Sequence, residues 1–224
     1  MTAGSGDSQG AADRIRAFER AGSAEELVAA TRRLTDCDDP LATVPQLVQV
    51  LGFNNPGAAV AAVDGLIAIG PAAVGPLLAN LDAHNYGARA WAVRALAGIG
   101  DPRGLDVLED ALATDVGPSV RRAAASGLGA LRLESLAEQE REGIRLRCLE
   151  ALEAGRSDGE WVVRYAVAVG FEGLALPLSP PHPHRQRAVA GLSQLLQPEQ
   201  EETLVVRLRA GVALKRLDKT DDLP

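Results

Sequence analysis

Four of the chain's seven aromatic residues, Tyr86, Trp91, Trp161 and Tyr165, fall inside one recurring phrase that also carries Arg89 and Arg94. Aromatic faces offer a stacking seat to a flat ligand or an anchor to a partner protein, and guanidinium forks match carboxylates. The competing reading is architectural: aromatics pack between helices, and an arginine ties one turn to the next through an acidic residue. Trp91 stands where neighbouring copies of the phrase carry Ala61 and Ala123, so packing alone does not require it. Arg94 stands where they carry Asp64 and Ser126. Arg89, Arg121 and Arg164 share one frame position, with Asp82, Asp115 and Asp158 within reach as partners. The architectural reading is preferred for Arg121 and Arg164, and slightly less so for Arg89. Arg103 and Arg122 are further cations, and exposed arginines are usually only solvated.

Three residues could move or hold protons. His84 suits proton transfer near neutral pH, although a turn histidine is more often simply exposed. Asp64 and Asp101 could accept hydrogen bonds from ligand N–H groups, while Asp101 before Pro102 is equally a helix cap. His182 and His184 flank Pro183 without the further ligands a metal site needs. No Ser-His-Asp order, phosphate-binding glycine loop or metal-ligand spacing occurs. Cys37 and Cys148 lack CxxC spacing and read as free thiols of a reducing compartment, with Cys148 on an apolar-patterned helix.

These residues must be positioned by helices. The phrase around Arg89 returns around Arg121, Arg164 and Arg207, at steps of 32, 43 and 43 residues, with a weaker copy 30 residues before Arg89. Self-similarity at this period signals stacked helical hairpins. Apolar residues recur every three to four positions rather than every two, which excludes a strand array. The expected fold is all-α, a HEAT-like α-solenoid of about five to six hairpins, curved and right-handed, with its concave face as the binding surface.

Composition agrees. The chain has 224 residues, 46% hydrophobic but only 3% aromatic, so small side chains can let helices approach closely. Its net charge of −7 disfavours nucleic acid. No apolar run reads as long enough to span a bilayer, and the N-terminus lacks the apolar region of a signal peptide. The expected organisation is a disordered tail over 1–12, a repeat domain over 13–217 with a proline-rich loop near 174–184, and a frayed C-terminus over 218–224.

The stretch Asn85-Tyr86-Gly87-Ala88-Arg89-Ala90-Trp91 through Arg103, the stretch Asn54 to Leu66 and the string Glu160-Trp161-Val162-Val163-Arg164-Tyr165 resemble the signature of phycobilin lyases. With the Ser119 to Leu131 copy, the likeness runs from about Ala24 to Phe171. Pattern and length are most similar to the smaller, F-type subunit of the phycocyanin α-subunit phycocyanobilin lyases. The resemblance implies a heterodimer with a larger E-type subunit in the cyanobacterial cytosol. It implies thioether attachment of phycocyanobilin, a substrate rather than a resident cofactor, to a cysteine of the phycocyanin α subunit. Related lyases that also isomerise the bilin carry a His-Cys pair in a repeat-opening loop. Here His84 is followed by Asn85, so attachment without isomerisation is expected.

On this reading Tyr86, Arg89, Trp91, Arg94, Trp161 and Tyr165 contact the bilin or the partner. His84, Asp64 and Asp101 are the acid–base candidates, and no resident metal is expected. The alternatives are a non-catalytic HEAT-repeat scaffold or chaperone for phycobiliprotein assembly, or a phycoerythrin lyase. A hydrolase or metal-dependent hydroxylase on the same scaffold would need paired His-Glu motifs, which three histidines cannot supply.

Overall fold

Asparagine, glycine and proline cut the chain into helices, because each satisfies or removes a backbone group that a helix end leaves over. The computed structural model describes residues 5–37, 39–81 and 85–221, with twelve α-helices and no strand among them. The packing resolves two units, Met1–Ile99 and Gly100–Pro224.

The first unit holds α1 (Ser5–Glu19), α2 (Ala24–Thr35), α3 (Val44–Val50), α4 (Pro56–Ile69), α5 (Val74–Ala79) and α6 (Tyr86–Ile99). Asn55 caps α4 by accepting from the Ala58 N–H at 3.0 Å, and its amide donates to the Ala24 carbonyl at 3.0 Å, tying α4 to α2. Asn85 repeats the cap on α6, accepting from the Ala88 N–H at 3.0 Å. Gly70 ends α4 at a φ of 77°, in the left-handed region that favours glycine. Helix α4 packs against both α2 and α6, with Gly65 beside Thr35 of α2 and Ile67 beside Gly98 of α6.

Three expectations need correction. Pro56–Ala79 is, by length and composition, apolar enough to cross a membrane, which the sequence reading missed. In the structure this segment is two helices broken at Gly70, with α4 buried among its neighbours. Helix α1 already begins at Ser5, and Ala11 is buried, so the tail expected over 1–12 is helical from residue 5. The polar composition of that stretch hides the small apolar face that packs on α2. The third correction concerns the proline-rich loop and the chain end, both in the second unit.

That unit holds α7 (Leu105–Thr114), α8 (Pro118–Leu128), α9 (Glu138–Gly155), α10 (Trp161–Ala175), α11 (Pro183–Leu196) and α12 (Leu204–Asp221). The loop between α10 and α11 covers only residues 176–182. Pro183 enters the first turn of α11, where its missing N–H costs nothing, and His182 caps it by accepting from the His184 N–H at 3.2 Å. Helix α12 continues to Asp221, so residues 218–221 are helical rather than frayed. Helices α8, α10 and α12 pack in succession, and α7, α9 and α11 pack beneath them. Leu128, Leu149, Leu152, Phe171 and Leu192 form the core. Helices α8 and α10 touch at backbone level: a Cβ on Gly129 or Gly173 would collide with the main chain of the other helix.

An arginine ladder runs along α8, α10 and α12. Arg121 Nε and Nη2 donate to the two Asp158 carboxylate oxygens at 2.6 and 2.9 Å, and Nη1 donates to the Asp115 carbonyl at 2.8 Å. Arg164 repeats this on Glu201 at 2.6 and 2.9 Å, with Nη1 on the Asp158 carbonyl at 2.7 Å. Each acid also accepts a backbone N–H two residues on, from Gly117, Glu160 and Thr203. The guanidinium thus serves one helix start with one nitrogen and the next with the other two. Arg121 and Arg164 are architectural, and Glu201 is a rung that the aspartate search did not find.

Candidate functional site

In the first unit, the candidates gather on α6. Arg89 lies over the Tyr86 ring at 5.7 Å and Arg94 over the Trp91 ring at 4.5 Å, two cation–aromatic pairs each spaced i,i+3 on one helix. Tyr86 is 44% exposed, while Arg89, Trp91 and Arg94 are half-buried. A ring beneath a guanidinium holds its charge in place. The surface therefore combines flat apolar area with oriented positive charge. Asp64 is exposed on neighbouring α4, in a shallow groove of about 300 Å³ with Arg32, Val60 and Ala61. His84 and Asp82 lie outside the described residues.

In the second unit, Trp161 is 46% exposed at the start of α10, and Tyr165 follows one turn later. Tyr165 lies beneath Arg209 at 6.0 Å and lines a groove of about 370 Å³ with Val205, Leu208 and Val212. Arg209 is held by the buried Glu172, which also accepts from Arg216 at 3.1 Å. Sequence reasoning missed Arg209, although the repeat frame puts it at the position that Trp91 holds on α6. Arg122 is exposed on α8.

Asp101 is engaged elsewhere in this unit. It caps the turn at Pro102–Gly104 and pairs with both ends of the Arg103 fork at 2.8 Å. The Arg103 hydrogen bonds hold its carboxyl below the ordinary range against the opposing effect of burial, so at neutral pH it is an acceptor. The two histidines of the proline loop converge on Glu142, His182 Nε2 at 3.4 Å and His184 Nε2 at 3.1 Å. Burial pushes the Glu142 carboxyl up, but Arg145 and the histidines more than offset this and leave it low. Among the described residues no group of three or more His, Cys, Asp or Glu could hold a metal ion. Cys37 and Cys148 are both free and buried, and burial pushes the Cys148 thiol up to about 12.

Residues 44–129 match the HEAT repeat family model. The chain is 58% identical over 161 residues to the phycocyanin alpha phycocyanobilin lyase CpcF of Synechocystis sp., covering 72% of this chain and 75% of that protein. The chain belongs to the phycocyanobilin lyase β-subunit family. Among solved structures, this family member is similar to a chain in the complex of CpcE and CpcF of phycocyanin lyase from Nostoc sp., with a TM-score of 0.68 and 40% identity over 77% of this chain and 98% of that one. A designed armadillo repeat protein, 18% identical, matches 92% of this chain and 98% of its own with a TM-score of 0.53, which supports the α-solenoid class alone.

Proposed function

We propose that this chain is the smaller subunit of a heterodimeric lyase, with a larger E-type subunit, that attaches phycocyanobilin through a thioether to a cysteine of the phycocyanin α subunit. The observation that carries the reading is its 58% identity to a lyase subunit across three quarters of that protein. The reaction adds the acceptor's S–H across the ethylidene double bond of ring A. Sulfur bonds to the ethylidene carbon, the displaced π pair takes a proton at the ring carbon, and nothing is oxidised. The acceptor supplies the nucleophile, so this chain need only bind, orient and exclude wrong approaches.

The α6 residues suit that task. Tyr86 and Trp91 offer the flat seat, and Arg89 and Arg94 offer cations to the two propionates. Trp161 and Tyr165 serve bilin or partner contact. Asp64 is available as an acceptor for pyrrole N–H groups, and His84 as a proton donor. The site of action is the cyanobacterial cytosol. Attachment proceeds without isomerisation, because Asn85 stands where the isomerising relatives pair cysteine with histidine.

Co-expression of this chain, the larger subunit, the α-phycocyanin apoprotein and a bilin source tests the reading. Zinc-fluorescent α subunit should form with all components and be lost when this chain is omitted. Unchanged attachment without it would instead mark a scaffold. A phycoviolobilin-type absorption spectrum would overturn the non-isomerising part.

A further inference from the structure

The arginine ladder has an open rung. Arg207 makes the carbonyl half of the motif, with Nη1 donating to Glu201 O at 2.7 Å and Glu202 O at 2.8 Å. In Arg121 and Arg164 the opposite edge, Nε and Nη2, grips the carboxylate that begins the next helix pair. Among the described residues no carboxylate meets that edge of Arg207. The backbone spacing is the same in all three: the acid–arginine interval is six residues in Asp115–Arg121, Asp158–Arg164 and Glu201–Arg207.

The surface around Arg207 is uncovered in the same sense. Four residues after the ladder arginine, Ala125 and Ala168 are fully buried, whereas Gly211 is only half-buried. Seven residues after it, Leu128 and Phe171 are fully buried, whereas Leu214 is half-buried. One residue after it, Tyr165 is half-buried, whereas Arg122 is exposed and so is Leu208, at 59%. Leu196 of α11, which approaches Gly211, is exposed too. A helix face that meets water is ordinarily polar. This one presents leucines and an arginine fork.

We propose that the larger lyase subunit docks on this end of α12, with one of its carboxylates closing the Arg207 fork and its apolar side chains covering Gly211, Leu214 and Leu208. The proposal rests on the heterodimer reading above and adds where the partner sits and what it presents. A second copy of this chain fits less well. A two-fold contact centred here would bring two guanidinium groups together without an acid between them. A partner offering the acid at a helix start, as Asp158 and Glu201 do, extends the existing pattern.

The test measures binding of the purified chain to the purified larger subunit by titration calorimetry, with light scattering on this chain alone. Arg207→Glu should weaken the complex by about tenfold or more, as expected for reversing a charge at a pairing site. Gly211→Arg should weaken it similarly by bulk, and it leaves the bonds to Glu201 and Glu202 untouched. Gly211→Arg should keep the wild-type thermal transition, whereas Arg207→Glu, which gives up the bonds to Glu201 and Glu202, should lower it while the chain stays folded at the assay temperature. If wild type binds and both variants bind equally well, the docking proposal is overturned and the lyase reading stands. If wild type does not bind the larger subunit, the heterodimer reading fails and the proposal fails with it. If this chain alone forms a dimer that Gly211→Arg dissociates, a second copy is the occupant and the proposal is overturned.

Discussion

At the residue scale, the proposed function rests on the α6 surface. Arg94 over Trp91 and Arg89 over Tyr86 fix positive charge beside flat apolar area. Trp91→Ala or Arg94→Ala should therefore lower attachment by about tenfold, a cost of about 1–2 kcal/mol for a partly desolvated cation–aromatic seat. The helical circular dichroism should stay unchanged. Collapse of that signal would instead mark the pair as structural. The sequence made Trp91 and Arg94 visible because they depart from their repeat equivalents. It did not make Arg209 visible, because arginine at a solvent-facing frame position looks ordinary until Glu172 and Tyr165 are seen around it. Of the two readings of Asp101, ligand acceptor or helix cap, the structure shows the cap, with its carboxylate paired to Arg103 two residues away.

At the element scale, the ladder couples helix starts. The Glu201 side chain is fully buried and the Arg164 side chain is 14% exposed, so removing one partner strands a buried charge. Arg164→Ala should destabilise the second unit by about 3 kcal/mol, read as a lower urea midpoint. The pH dependence has a definite sign. Burial pushes the Glu201 carboxyl up, but Arg164 and the Thr203 N–H outweigh it and hold the carboxyl below its ordinary value. Asp158 is lowered by the same balance, with Arg121 and the Glu160 N–H opposing burial. Folded-state values below the unfolded ones mean this stability is present at neutral pH and is lost as pH falls below about 4.5. Wild type should lose its urea resistance over that acid range, and Glu201→Gln should lose less. The close approach of α8 and α10 gives an independent check. Gly129→Ala should cost about 1–3 kcal/mol, because backbone rather than a movable side chain occupies the space. The repeat spacing alone predicted the helix pairs and the Arg121 and Arg164 roles. It could not predict that Glu201 replaces aspartate, since a carboxylate one methylene longer serves the same fork.

At the scale of the whole molecule, 30 acidic side chains against 23 basic ones leave a net charge of −7. Many cations are already committed within the chain: Arg147 to Asp106 and Glu109, Arg187 to Glu153, and Arg209 to Glu172. The fold class was legible because the repeat period and the 3–4 residue apolar spacing act over the full length. Other parts were less legible: α1 depends on packing against α2 that its polar composition conceals, and the prolines of 177–183 hid the early start of α11. One further property belongs to the chain as a whole. Under the proposed function the chain meets a thiol-seeking pigment and risks labelling itself. Both cysteines here are buried, and the Cys148 thiol, pushed up to about 12, stays protonated at neutral pH. In the co-expression assay this chain should run as a colourless, zinc-dark band beside a fluorescent acceptor. Only unfolding should expose it to self-staining.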